Sequence, residues 1–167
     1  MGNRTIQKTP APYVMFHKAL FLEFKEGTAF ELTFLNGKVM RYDMAWLFPS
    51  YPQLRDLEDR KLFLSGKLMG PYGVIWNEDL DIEVETVYEE GEFVRTVEIP
   101  ARYRVGQEIA AARAQAGMTQ TMLSDACGID QSDLSKLERG QLNPSVATLE
   151  RIAKAVGGTL EIRISRS

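Results

Sequence analysis

Few side chains in this 167-residue chain are of types and spacings that do chemistry. Asp79, Asp81, Glu83 and Glu85 alternate along the chain. Oxygen donors turned one way are what a hard cation needs, but the glycine-containing loop of a calcium hand is missing, so the series reads as a solvated acidic face. Cys127 is the one cysteine and His17 the one histidine, which leaves neither a disulfide nor a set with zinc-ligand spacing. Residues 1–98 show no nucleophile–base pair and no phosphate-cradling glycine loop. Cys127 therefore reads as a small core residue, His17 as a surface or satisfied histidine, and Trp46 and Trp76 as core or interface anchors. The expectation is a protein without metal, cofactor or enzymatic activity.

The elements that position these residues fall into two unlike halves. With 44% hydrophobic and 26% charged residues the chain is of globular type. It has no apolar run of membrane-spanning length, and residues 1–12 lack the apolar region of a secretory signal. A cytoplasmic protein is expected. Residues 1–98 carry 11 Lys/Arg against 16 Asp/Glu, whereas residues 99–167 carry 9 against 7. Only the second half shows a basic excess, and a modest one.

In the first half apolar residues alternate. Phe30, Leu32 and Phe34 are separated by Glu31 and Thr33, as in a strand with one face on a core and one in solvent. Asn36-Gly37 offers the positive φ values of a type I′ hairpin turn, which would pair this run with Val39-Met40-Arg41-Tyr42. Residues 52–64 read as a short helix, broken by Gly70-Pro71-Tyr72-Gly73 before Val74-Ile75-Trp76. The predicted domains are an α+β unit over 1–91, a linker over 92–101 and a helical unit over 102–167.

The second half divides by its own punctuation into helices over 105–116, 119–127, 130–139 and 145–156. Gly117, Gly128 and Gly140 are stops, and Thr119, Asp130 and Ser145 are suitable N-caps. Helices this short must pack on one another, through Ile109, Leu123, Cys127, Ile129, Leu134, Leu137, Leu149, Ile152 and Val156. Gly157-Gly158 ends the last helix before a strand-like run over 159–164. The fold class predicted is α+β: a small antiparallel-sheet domain, then an all-α bundle with a C-terminal strand.

Met118-Thr119-Gln120, Leu123, Gly128-Ile129-Asp130-Gln131-Ser132, Leu134-Ser135-Lys136-Leu137-Glu138-Arg139-Gly140, Asn143-Pro144-Ser145, Thr148-Leu149 and Ile152-Ala153 follow one another at a demanding spacing. This pattern resembles the Cro/C1-type helix-turn-helix family over about residues 105–157, without a gap. The resemblance implies a helix over 119–127 lying across the DNA backbone and a reading helix over 130–139 entering the major groove by its N-terminal residues. Gln131 would then address an adenine edge, Ser132 donate or accept, Lys136 reach guanine or a phosphate, and Ser135 reach a base edge. Gln120 matches the family's phosphate contact, with Arg139 and Asn143 as further backbone candidates. Arg113 and Glu138 match a structural ion pair joining the first and third helices. Asp133, acidic near the groove, departs from what DNA favours.

The first half resembles a bacterial domain of unknown function, catalogue number twenty-four forty-two. The likeness covers about residues 13–91 and rests on the hairpin, Tyr42-Asp43-Met44, Leu54-Arg55-Asp56 and Trp76-Asn77-Glu78-Asp79-Leu80-Asp81. It implies a toxin-antitoxin-like context, in which exposed Phe48, Tyr51 and Tyr72 could capture a protein partner such as a toxin. Dimerisation and small-molecule sensing are the other roles open to it. Because an unpaired strand edge is costly, and C-terminal strands in antitoxin-type relatives pair across a two-fold axis, a homodimer joined through Leu160, Ile162 and Ile164 is expected. The implied function is a sequence-specific transcriptional regulator, a repressor and in the narrower version an antitoxin-like autoregulator. It would bind double-stranded DNA at a palindromic operator. The alternative is a protein-interaction adaptor or antitoxin whose helix-turn-helix is a scaffold.

Overall fold

A computed structural model describes residues 17–166, so the N-terminal stretch read for a secretory signal lies outside them. The chain forms two compact units, Met1–Val97 and Glu98–Ser167. Among the described residues no helix is long and apolar enough to cross a membrane.

In the first unit β1 (Ala19–Phe24), β2 (Ala29–Phe34) and β3 (Lys38–Asp43) form an antiparallel meander. Phe30 pairs with Tyr42 and Leu32 with Met40, so the period-2 pattern puts Phe30, Leu32, Phe34, Met40 and Tyr42 on one buried face. The hairpin differs from the expected type I′ turn. Among the described residues only glycines have positive φ, and here it is Gly37, at 88°. The Gly37 amide donates to Phe34 O at 2.8 Å, and Asn36 Oδ1 accepts from the Lys38 amide at 3.1 Å. A three-residue loop whose last residue is left-handed satisfies the register with one positive φ in place of two.

The predicted helix over 52–64 is two pieces. A 3-10 turn, Pro52–Glu58, ends at Asp59, whose carboxylate caps the separate α1 (Arg60–Leu64) by accepting from the Lys61 and Leu62 amides. A second sheet follows, β4 (Lys67–Met69), β5 (Gly73–Asn77) and β6 (Leu80–Glu83), in the order β4-β5-β6. Its Val74, Trp76, Leu80 and Ile82 join Leu54, Leu57 and Phe63 and the inner face of the first sheet in one core. Full burial of such side chains contributes about 1.5–3 kcal/mol each. Then comes α2 (Val84–Glu90), which the alternation of acids concealed; Val84 and Val87, one turn apart, are its buried side.

The linker expected over 92–101 is structured along its first part. Glu92–Thr96 forms β7, which pairs antiparallel with β3 and completes the sheet order β1-β2-β3-β7. Its β-branched and aromatic residues Phe93, Val94 and Thr96 suit an edge strand. Glu31, expected in solvent, is 2% exposed. From β2 it takes Arg41 of the neighbouring β3 at 2.6 Å and Arg95 of β7, one strand further on, at 3.1 Å, with Lys25 just after β1 at 3.4 Å. Phe48, expected exposed, is buried, whereas Tyr51, Tyr72 and Trp46 are exposed. Trp76 is a core anchor, its indole N–H donating to Phe63 O at 2.7 Å.

The second unit holds α3 (Ala101–Gln115), α4 (Gln120–Cys127), α5 (Gln131–Glu138) and α6 (Val146–Ala155). They pack around Ile109, Leu123, Cys127, Leu134, Leu137 and Ile152. The three N-caps are those the sequence marks: Thr119 accepts from Met122 N, Asp130 from Ser132 N and Ser145 from Thr148 N. Helix α3 begins earlier than predicted, directly after Pro100. The C-terminal strand is not formed within this chain: residues 159–166 carry no regular structure, and Ile162 and Ile164 are exposed. A strand needs a hydrogen-bonding neighbour, and none of the described backbone pairs reaches this run.

Candidate nucleic-acid interface

The interface is built on α4, α5 and the turn between them. Asp130 closes the N-terminus of α5: its carboxylate accepts from the Ser132 amide at 2.8 Å, and this hydrogen bond holds the carboxyl below its usual range. Gln131 and Ser132 follow as the first two residues of the helix, and both are exposed. Ser135 lies four residues after Gln131, and Lys136 four after Ser132. The four side chains therefore share one strip of α5. Leu134, Leu137 and Glu138 occupy the opposite, buried side. The helix thus presents an amide, hydroxyls and an ammonium outward, the donor and acceptor set that meets base edges.

Two neighbours modify that strip. Lys136 Nζ is 3.1 Å from Asp133 Oδ1, an exposed pair one turn apart that partly neutralises the cation. Arg139 folds back to donate from Nε to Ser135 O at 3.2 Å. Asn143 is exposed in the loop after α5, and that loop is tied to α3 by Arg102, whose Nε donates to Gly140 O at 2.9 Å.

Gln120 begins α4, as the sequence pattern implies, but its amide is engaged inside the protein, with Nε2 donating to Glu138 Oε2 at 2.9 Å. It joins the Arg113–Glu138 pair, which the structure brings together with Nε–Oε1 at 2.5 Å and Nη2–Oε2 at 3.0 Å. Arg113 also donates from Nη1 to Met118 O at 2.9 Å, just before α4. The hydrogen bond it donates to Glu138 holds the Arg113 guanidinium above its ordinary value, against the opposing effect of burial. One network therefore anchors the N-terminus of α4 to α3 and α5. Sequence reasoning missed the side chains that satisfy the ends of these helices, Arg102 and Arg151. Each is a surface arginine in sequence, distinguishable only once the carbonyl it meets is placed.

The other residues singled out above take structural positions. Cys127 is buried beside Ser124 O. His17 stacks on Tyr88 with ring centroids 3.3 Å apart, and its Nδ1 meets Glu85 Oε1 at 2.7 Å. Asp79, Asp81 and Glu83 are exposed, and among the described residues no group of acids, histidines or cysteines could hold a metal ion.

Two protein families match this chain in sequence: one described as "Helix-turn-helix", over residues 109–162, and one described as "Protein of unknown function (DUF2442)", over residues 22–93. An immunity repressor protein of Bacillus phage phi105 is 42% identical over 53 residues, which are 32% of this chain and 37% of the repressor, so the chain spans about a third of that relative's length. An uncharacterized HTH-type transcriptional regulator of Sinorhizobium fredii is 43% identical over 56 residues, 34% of this chain and 73% of the relative. Among solved structures, the clp gene regulator ClgR of Corynebacterium glutamicum is similar at 29% identity and a TM-score of 0.38, covering 40% of this chain and 85% of ClgR. With α4, the turn and α5 arranged as described, the chain belongs to the Cro/C1-type helix-turn-helix family of DNA-binding transcriptional regulators.

Proposed function

We propose that this regulator is a repressor that reads a palindromic operator as a homodimer, with the N-terminus of α5 in the major groove. The observation that carries the reading is the outward strip of Gln131, Ser132, Ser135 and Lys136 on a helix whose other side is core. Gln131 is the adenine-reading amide, Ser132 and Ser135 supply adaptable hydroxyls, and Lys136 reaches guanine or a phosphate when it leaves Asp133. Arg139 and Asn143 contact phosphate. Gln120 does so through the backbone N–H groups of the α4 N-terminus and whatever its amide can spare from Glu138.

The tail over 159–164 provides the dimer contact. Leu160, Ile162 and Ile164 fall on one side of an extended chain, and pairing with the same run of a second copy would satisfy backbone groups that lack partners in the described chain. Two reading helices would then meet half-sites about 34–36 Å apart. The N-terminal module, with Tyr51, Tyr72 and Trp46 exposed, supplies a surface for a protein partner whose binding changes operator occupancy.

Binding-site selection from random duplexes with the full-length protein tests the reading. Enrichment of a palindrome is the expected result. If only weak, salt-sensitive binding without sequence enrichment is found, the helix-turn-helix serves as a scaffold and the search moves to the partner of residues 1–98.

A further inference from the structure

The turn that sets the angle between α4 and α5 is held from outside by one side chain of α6. We propose that Arg151 is a positioning residue for DNA reading, its guanidinium locking this turn. The inference rests on the reading of α5 as the base-contacting helix.

A helix end leaves carbonyls without partners, and the C-terminus of α4 is such an end. Gly128 takes the left-handed conformation, φ 66°, and its amide closes the helix on Ser124 O at 2.9 Å. The carbonyls of residues 127–129 each find a side-chain donor. Cys127 O accepts from Arg151 Nε at 3.1 Å and Nη2 at 2.7 Å, and Gly128 O accepts from Nη2 at 2.9 Å. Ile129 O accepts from Ser124 Oγ at 2.6 Å. Consecutive carbonyls of the turn are thus occupied, two of them by one planar, permanently charged fork. The charge also lies at the negative end of the α4 dipole.

Asp130 and Gln131 follow this turn directly, so whatever fixes its carbonyls fixes the entry angle of the reading helix. A helix-turn-helix reads only when the first helix meets the backbone while the second reaches base edges. Productive sites tolerate deviations of about 10–20° at most. Arg151 therefore acts on specificity without touching DNA: its hydrogen bonds are spent on the turn, and it preorganises α5 against α4 before the duplex arrives.

The test uses the full-length parent, Arg151→Ala, Arg151→Lys, Gln131→Ala and the Arg151→Ala/Gln131→Ala double variant. Each is measured against the duplex enriched by the parent and against a scrambled duplex over a salt series, with amide hydrogen exchange of the free proteins at residues 128–131. Arg151→Ala is expected to weaken binding of the enriched duplex about tenfold or more, from the loss of charged hydrogen bonds. Scrambled-duplex affinity and the salt slope should hold, and exchange at the turn should quicken. Gln131→Ala should then cost less in the Arg151→Ala background than in the parent. Arg151→Lys should recover most of the loss, because an ammonium can donate to both carbonyls. If Arg151→Ala does not fold, Arg151→Gln replaces it and should give an intermediate loss. Equal weakening on both duplexes, with the salt slope reduced by about one, would make Arg151 a phosphate contact and overturn the proposal. Unchanged affinity and exchange would overturn it too. A parent that enriches no sequence would remove the base-reading role and this inference with it, while the exchange data would show whether the latch exists as structure alone.

Discussion

Arg113 and Glu138 form a two-pronged ion pair between α3 and α5, with Glu138 only 6% exposed and Gln120 of α4 bonded to the same carboxylate. Three helices of the DNA-binding unit thus meet at one charge. Arg113→Ala leaves that carboxylate buried with only an amide for company. The expected loss is about 3 kcal/mol, the lower end of the range for a broken buried pair, because the Arg113 side chain keeps 20% of its exposure. Urea unfolding measures it; a loss below about 1 kcal/mol would rank the pair with surface ion pairs.

Glycine at position 106 permits the close crossing of α3 on α5. A Cβ there would fall 2.6 Å from Glu138 O and closer still to Leu137 O, both backbone atoms that cannot swing aside. Gly106→Ala should therefore destabilise the unit by about 1–3 kcal/mol, although alanine is the better helix former. A melting temperature unchanged or raised would show that the crossing can open without cost.

On the reading face, Gln131→Ala should cost about 1–3 kcal/mol on the operator and little on scrambled DNA. Arg139→Ala should weaken both duplexes alike and lower the salt slope by about one. Fluorescence anisotropy over a salt series separates the two patterns, and exchange of the two behaviours would reverse the assigned roles.

Burial of Glu31 by itself pushes its carboxyl up, but the hydrogen bonds from Arg41 and Arg95 and the charge of Lys25 outweigh this and hold it below the ordinary value of 4.5. A depressed folded-state value means stability that is complete above the unfolded value and lost as the pH falls through the folded one. The first unit should therefore weaken progressively below about pH 4.5, and Glu31→Gln should flatten that part of the curve. Thermal melts from pH 6 to 3 provide the check; parallel curves for parent and variant would remove Glu31 from the acid response.

Deleting the chain after Gly158 removes the run bearing Leu160, Ile162 and Ile164. Sedimentation equilibrium should show the dimer lost and the helical content kept. A truncated chain that remains dimeric would place the dimer contact elsewhere.

Local chemistry was readable from the residues alone. Thr119, Asp130 and Ser145 cap the helices they precede because a cap needs only an oxygen and the amides two or three residues on. The same holds for the glycine stops, for the alternation of Phe30, Leu32 and Phe34, and for the outward strip of α5, which follows from helical period. Decisions that required a distant partner were not readable. Glu31 alternates like a solvent residue and is buried because Arg41 and Arg95 arrive from other strands. Residues 92–96 look like a linker until β3 offers an edge, Phe48 looks exposed until the core closes over it, and the tail alternates like a strand but has no strand to join within this chain. Gln120 turns its amide toward Glu138, and Arg151 finds the carbonyls of Cys127 and Gly128, through contacts that span the bundle. Periodicity and capping depend on neighbours along the chain, whereas the burial of a charge and the choice of a hydrogen-bond acceptor depend on neighbours in space, which only the tertiary structure supplies.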